Sequence, residues 1–457
     1  MHSQTTNMTQ GKPTRLILTF ALPLMIGNIF QQLYTVIDTM VVGQALGVSA
    51  LAALGATDWL NWLFSGLVQG LAQGFSIQMA QEFGAGSYRR LKQVILNAVF
   101  LSVLCSVIVL IISQTCTQSV LRLLNTPEDI LGSSLLYLRI IFWGIPIIMA
   151  YNLSASILRA LGDGQTPLRA MVVASITNIV LDLIFVLVFH WGIAGAAAAT
   201  LLAQLLSSVF CFYYIAKIEV LKTEKEGFSP DGSICRRLLF LGYPVAFQNA
   251  VIFIGGMIVQ SVVNSFGVVF IAGFTATNKL YGILEYAATS YGYSMATYSG
   301  QNLGAGQIGR IQKGVKDAVL LSLVTSVSIA ACMIILGKNI LGWFLSGDPQ
   351  QVEAALNIAY RYLFIMSLFL PTLYLLYIIR STLQGIGNTV MPMVSGVAEF
   401  IMRVGTAIIL SRLVGQNGIF YAEILAWIGA DVILLGTYFF YLYKWKIKGQ
   451  LTKPADL

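Results

Sequence analysis

The chain has 457 residues, of which 57% are hydrophobic and only 10% charged, with a mean hydropathy of +0.78. A soluble globular protein carries about 25% charged residues, so most of this chain belongs in a bilayer. The formal charge of +8 comes from 27 Lys and Arg against 19 Asp and Glu, and its distribution along the chain decides whether it signals nucleic acid or membrane topology.

Residues 1–14 are polar. The apolar run behind them is longer than the hydrophobic region of a signal peptide and lacks a small-residue cleavage site, so the first helix is expected to be retained. A hydrocarbon core takes about 20 apolar residues per helix, and lipid offers backbone groups no water, so each long uncharged run reads as a spanning helix. Breaks at Gly, Pro and charge clusters predict spans at 16–42, 51–79, 91–113, 131–160, 167–190 and 192–217. A second set follows at 236–264, 270–299, 311–336, 350–384, 392–413 and 418–443. Alternation at strand length is absent, which excludes a barrel. The expected fold is an all-α integral membrane protein of twelve transmembrane helices in two pseudo-symmetric six-helix bundles. Its predicted parts are an N-terminal lobe at 1–217, a linker at 218–235, a C-terminal lobe at 236–443 and a tail at 444–457.

The two halves are a tandem duplication. AQEFGAGSYRRLKQ at 80–93 returns as GQNLGAGQIGRIQK at 300–313, with five of fourteen positions identical. Pro23 recurs as Pro244, Gly84-Ala85-Gly86 as Gly304-Ala305-Gly306, and Pro167 as Pro392. Two like-oriented halves point to a transporter with a cleft between them.

Basic residues gather in alternate connections: Lys12 and Arg15; Arg89, Arg90 and Lys92; Arg159 and Arg169; Lys217 to Arg237; Arg310 to Lys316; Arg380; and the Lys444 to Lys453 tail. These regions hold 20 of the 27, whereas the opposite loops hold Arg122, Lys338 and Arg412. By the positive-inside rule both termini are expected in the cytoplasm. Topology thus accounts for the net charge, and no nucleic-acid partner is expected. The polar stretch from Glu219 to Ser233 reads as a linker between the lobes.

The five cysteines, Cys105, Cys116, Cys211, Cys235 and Cys332, are scattered without metal-ligand spacing and read as packing residues. The two histidines, His2 and His190, give a metal or catalytic centre little to build on, and His190 is expected at a helix end. No metal and no catalytic residues are expected. Gly84-Ala85-Gly86 lacks the strand and spacing of a nucleotide site and reads as a tight turn. The small-residue runs Gly192 to Ala199 and Ala50 to Gly55 read as close helix contacts.

Polar residues inside spans are functional candidates, because burying them in hydrocarbon is costly. The first span carries Asn28, Gln31, Tyr34, Thr35 and Asp38 on one face, and the second carries Asp58, Asn61, Ser65, Gln69, Gln73 and Ser76. Such stripes imply a shared water-filled cavity. Asn178 and Asp182 are four apart in the fifth span, and Thr200 in the sixth adds a hydroxyl. With Asp38 they make an oxygen-rich set suited to a hard monovalent cation or to a proton held between carboxylates. The plainer alternative is a satisfied polar contact between packed helices. The second half is no chemical copy: Asp38 aligns with Val259 and Asp182 with about Ala407. It offers Lys279, Glu285, Arg361, Glu399, Arg403, Glu423 and Asp431 instead, with Glu285 on a face with Asn278, Tyr281, Thr289 and Tyr293. These are candidates for a substrate cavity or for structural ion pairs.

The stretch PLMIGNIFQQLYTVIDTMVVGQALG (23–47), the FGAG turn (83–86), the RALGDGQTP loop (159–167) and TNIVLD (177–182) together resemble the multidrug and toxic compound extrusion (MATE) family over essentially the full chain. The resemblance implies a V-shaped pair of six-helix bundles that exports amphipathic, often cationic compounds in exchange for inward proton or sodium flow. In the branch with its cation site in the N-terminal lobe, the matching residues here are Asp38, Asn152, Asn178, Asp182 and Thr200. The other branch uses a seventh-helix Glu that this sequence lacks.

The leading expectation is therefore a secondary active multidrug antiporter in a bacterial cell membrane, with H+ or Na+ as coupling ion and no cofactor. Its partners would be small-molecule drugs or toxic metabolites and membrane lipids, and it would act as a monomer. Substrate-cavity candidates are Gln31, Tyr34, Asn61, Gln69, Tyr281 and Glu285. An alternative is a flippase for a lipid-linked saccharide, although the first lobe has few intramembrane cations to grip a pyrophosphate. An enzyme lacks a nucleophile–base pair or metal set, and a passive channel lacks repeated charged rings.

Overall fold

The computed structural model describes residues 5–124, 126–222, 229–345 and 348–451. The helices are α1 (Pro13–Gly84), α2 (Tyr88–Leu123), α3 (Glu128–Trp143), α4 (Ile145–Ala160), α5 (Gln165–Asp182), α6 (Gly192–Ala216), α7 (Gly232–Asn264), α8 (Val268–Gly304), α9 (Ile308–Gly342), α10 (Pro349–Leu368), α11 (Leu370–Gly385), α12 (Val390–Val414) and α13 (Ala422–Leu451). A π-helical turn, Leu183–Val188, extends α5, and a 3-10 segment, Gly415–Tyr421, leads into α13. His190, at φ 55, sits between that π turn and α6, at a helix end as expected.

These elements reproduce the twelve expected spans, with length and apolarity explaining how they group. Among the described residues, seven helical stretches are long and apolar enough to cross a membrane, and nine if each bent pair is one span. The 57-residue stretch Val390–Lys446 contains both α12 and α13. The remaining two spans are α8 and the part of α1 beyond Gly47, where intramembrane polar residues lower the local hydropathy. α1 is two spans joined at Gly47, whose φ of 83 and ψ of −176 interrupt the helix. Helix α13 continues to Leu451, through part of the predicted tail.

The duplication is visible in the backbone. Left-handed glycines recur in pairs: Gly47 with Gly267 (φ 83 and 87), Gly86 with Gly306 (69 and 71), Gly162 with Gly387 (79 and 88), and Gly192 with Gly415 (61 and 66). A side chain would strain each turn, so the chain reverses where glycine permits it. The α3–α4 pair bends by 49° and α10–α11 by 51°, with Pro146 and Pro371 just inside the second helix of each. A contact is copied too: Arg90 Nε lies 3.1 Å from Glu82 Oε1, and Arg310 Nε donates to Asn302 Oδ1 at 3.0 Å.

Amphipathicity is inverted, as a membrane requires. In α2 the buried polar residues are Asn97, Ser102, Ser106, Ser113 and Thr117, while Val103, Ile108 and Ile111 are exposed. In α9, Ser322 and Ser326 are buried while Leu320 and Val324 are exposed. Small residues let helices approach where lipid supplies no hydrophobic drive. The chain is a multi-pass membrane protein.

Contacts divide it into two compact units, one built on Thr19–Phe253 and the other on Ile254 onward together with Thr9–Leu18. The division falls inside α7 and not in the predicted linker, of which residues 223–228 lie outside the description. The cause is local packing. Gly66, Gly70 and Gly74 form one small-residue face of α1, and a Cβ on Gly70 or Gly74 would lie 2.5 Å from Ala246 Cα or 2.3 Å from Gly242 Cα. That close approach holds the first half of α7 to the N-terminal unit. The start of α1 is held to the other unit by Ser294, whose hydroxyl donates to Ile17 O at 3.1 Å, and by Thr14, which donates to Asp317 Oδ2 at 2.7 Å.

The RALGDGQTP loop owes its form to Gly162 and Asp163. A Cβ on Gly162 would lie 2.1 Å from Thr6 O. Asp163 accepts the N–H groups of Gln165 and Thr166 at 3.0 and 2.9 Å and the Thr166 hydroxyl, covering free donors at the start of α5. Asp163→Ala is expected to lower stability by about 1–2 kcal/mol, the usual cost of a lost helix cap. Chemical denaturation in detergent checks this, and an unchanged midpoint would refute it.

Candidate functional site

Within the N-terminal unit, α5 and α6 pack side by side. The small-residue start of α6 makes this possible: a Cβ on Gly195 would meet Phe185 at 3.1 Å. Asn178 and Asp182 lie one turn apart on the inward face of α5, with 1% and 0% exposure. The π turn begins directly after Asp182, whereas α12 stays α-helical through Ala407, the residue aligned with Asp182. A π turn widens the local helix and is frequent at functional sites. Here it marks the half that carries the acid.

Asn178 Nδ2 donates to Thr200 Oγ1 at 3.5 Å, and Thr200 donates to Ala196 O at 3.1 Å. Ser207 ties the same helices together by donating to Ala170 O at 3.1 Å. Beside these residues lies a partly open cavity whose polar lining is Gln31, Tyr151, Asn178, Thr200, Gln204 and Ser207. Met171, Ala174 and Ala203 complete the wall. Asn178 Oδ1 and Gln204 Oε1 are buried and have no hydrogen-bond partner among the described residues. Two buried amide oxygens and a hydroxyl form an acceptor-rich lining, with the enclosed Asp182 carboxylate one turn away from Asn178, a set that suits a cation or a proton.

The expected residues are thus partly assembled. Gln31, Asn178 and Thr200 meet at the cavity, with Asp182 one turn away. Asn152 is half-buried and its Nδ2 donates to Ile148 O at 2.9 Å; its neighbour Tyr151 lines the wall. The side chains of Tyr34 and Asp38 lie outside the described residues. Asn61 accepts from the Ser65 hydroxyl at 3.4 Å, and neither it nor Gln69 lines the cavity. Sequence reasoning missed Gln204 and Ser207, although Thr200, Gln204 and Ser207 carry the helical spacing of four and three that marked the other stripes.

In the C-terminal unit three of the charged candidates, Glu399, Arg403 and Glu423, are ion-paired. Arg380 Nη2 lies 2.6 Å from Glu399 Oε2, and Arg403 Nη2 bridges Glu399 Oε1 at 2.8 Å and Glu423 Oε2 at 2.7 Å. The expectation that Arg380 is a loop charge is corrected: it is 5% exposed inside α11, because Glu399 on α12 gives its guanidinium a buried partner. Lys279 and Arg361 are exposed. Tyr377 donates to Glu285 Oε1 at 2.7 Å, and Tyr281 stacks on Trp427 at 5.9 Å. Among the described residues no group of three or more His, Cys, Asp or Glu is placed to hold a metal ion.

Comparison with known proteins matches the chain to a family. The family model described as MatE matches residues 23–184 and 244–409, one copy in each half. A probable multidrug resistance protein, YpnP of Bacillus subtilis, is 28% identical over 90% of this chain and 92% of its own length. The probable multidrug resistance protein NorM of Thermotoga maritima is 25% identical over 96% of this chain and 94% of its own. Among solved structures, a MATE protein in complex with MaL6 superposes with a TM-score of 0.88 at 23% identity, covering 97% of this chain and 99% of that one.

Proposed function

Because the chain belongs to the MATE family of transporters, and is therefore a transporter and not an enzyme, we propose that it exports amphipathic drugs or toxic metabolites by antiport against protons or sodium. Both relatives described above carry multidrug-resistance names. The coupling cation is held in the N-terminal unit by Asp38, Asn152, Asn178, Asp182 and Thr200, with Asn152 assigned by the family resemblance alone. The protein acts as a monomer in a bacterial cell membrane with both termini in the cytoplasm.

The observation that carries this reading is the Asn178–Thr200 contact across α5 and α6, at a cavity with unsatisfied amide oxygens and beside the fully enclosed Asp182. Cation entry there changes how α5 and α6 pack and so lowers affinity for the exported compound. Linkage requires the compound to weaken cation binding by the same factor.

The test is dye efflux from proteoliposomes under separately imposed proton and sodium gradients. Asp38→Asn and Asp182→Asn are each expected to cut gradient-driven efflux by at least about tenfold, equivalent to about 1.4 kcal/mol of lost coupling. The gradient that drives the intact protein identifies the ion. Coupled efflux that persists in both variants would sink the N-terminal assignment.

A further inference from the structure

Helices α11, α12 and α13 pack on one another in the C-terminal unit and enclose more negative than positive charge. Arg380 and Arg403 are matched by Glu399 and Glu423 in one continuous ladder of contacts at 2.6–2.8 Å. Asp431, two turns beyond Glu423 on α13, adds a third carboxylate that is 5% exposed. Neither of its oxygens has a hydrogen-bond partner among the described residues, and its electrostatic neighbours are Arg380 and Glu399. Glu285 on α8 differs, since the Tyr377 hydroxyl donates to it.

An ionised carboxylate enclosed without a donor is strongly disfavoured, and the nearest guanidinium is already engaged by Glu399. Neutralisation by sodium needs several oxygen ligands gathered around the ion. A proton needs no such shell. We infer that Asp431 is a second proton-carrying site, housed in the C-terminal unit, with Arg380 as its positioning residue. The charged groups sharing this interior are Arg380 from α11, Glu399 and Arg403 from α12, Glu423 on the same helix as Asp431, and Glu285 from α8, which faces Glu423, Arg403 and Glu399. When Asp431 releases its proton to solvent, two carboxylates compete for Arg380, and the Arg380–Glu399 contact that joins α11 to α12 weakens. Proton release is thereby tied to repacking of this helix trio. The site stands apart from the N-terminal cation site and does not depend on it.

Infrared difference spectra of the full-length protein in proteoliposomes, taken between neutral and alkaline pH, test this directly. In the Asp182→Asn background the carbonyl stretch of a protonated buried carboxyl is expected, and it is expected to be lost when Asp431→Asn is added. Labelling aspartate side-chain carboxyls with 13C in Asp182→Asn must move the same band, which covers the case in which the double variant fails to fold. A band that survives Asp431→Asn, that ignores the label, or that added sodium removes at fixed pH would overturn the proposal. The Asp182→Asn spectrum reports on the N-terminal site separately, so failure of one site is distinguishable from failure of the other.

Discussion

Arg403→Met is expected to destabilise the C-terminal unit by about 3–5 kcal/mol, the cost of removing one member of a buried charge network. Arg403 is the shared member: its Nη2 reaches both Glu399 and Glu423, whose side chains are 5% and 19% exposed. Removing it leaves Glu399 with Arg380 alone and strips Glu423 of its ion pair. Partial solvent access to Glu423 places the expected loss toward the lower end of that range. The measurement is denaturation in detergent micelles, followed by a probe in α12 or α13. Adding Glu399→Gln and Glu423→Gln to Arg403→Met is expected to recover part of the loss, because the penalty lies in the stranded charges and not in the missing side chain. A single variant as stable as the intact protein would mean that the two carboxylates are not charged in the folded state.

Gly74→Ala is expected to cost about 1–3 kcal/mol, an overpacking penalty that a single methyl seldom causes on an open helix face. The added Cβ would lie 2.3 Å from Gly242 Cα and 2.7 Å from Leu241 O, both of them backbone, so no rotamer change relieves the clash. α1 and α7 must separate. Gly55→Ala supplies the contrast within the same helix, because nothing lies within 4 Å of its added Cβ. There the substitution is expected to stabilise by about 0.5–1 kcal/mol through lower backbone entropy in the unfolded chain. Parallel thermal melts of the two variants decide the matter: if both shift the same way, the α1–α7 contact does not depend on the absence of a side chain.

The sequence was informative wherever the determining interaction is local. Spans follow from hydropathy along a single run, and their breaks from Gly and Pro, so all twelve were legible, including the break around Gly47, whereas the bends at Pro146 and Pro371 inside the spans 131–160 and 350–384 emerge only in the structure. The duplication was legible because its turns need left-handed glycines that few other residues can replace. Asn178, Asp182 and Thr200 stood out because polar groups inside apolar helices are costly and hence few.

Other features depend on how one helix is rotated and how deep it lies against another, which no single run of residues encodes. Arg380 reads as a boundary charge until α12 sets Glu399 against it. Gln204 and Ser207 read as ordinary polar residues until α5 and Gln31 close a cavity around them. The Gly66, Gly70 and Gly74 face is plain in the sequence, yet only the fold shows that it receives α7 and draws Gly242 and Ala246 into the N-terminal unit. By itself, then, the sequence determined the number of spans, the repeat and the chemistry of the candidate site. The tertiary structure alone decided which charges are paired, which polar atoms share a cavity and where the two units divide, because each of these is a contact between residues far apart in the chain whose energy exists only once their helices meet.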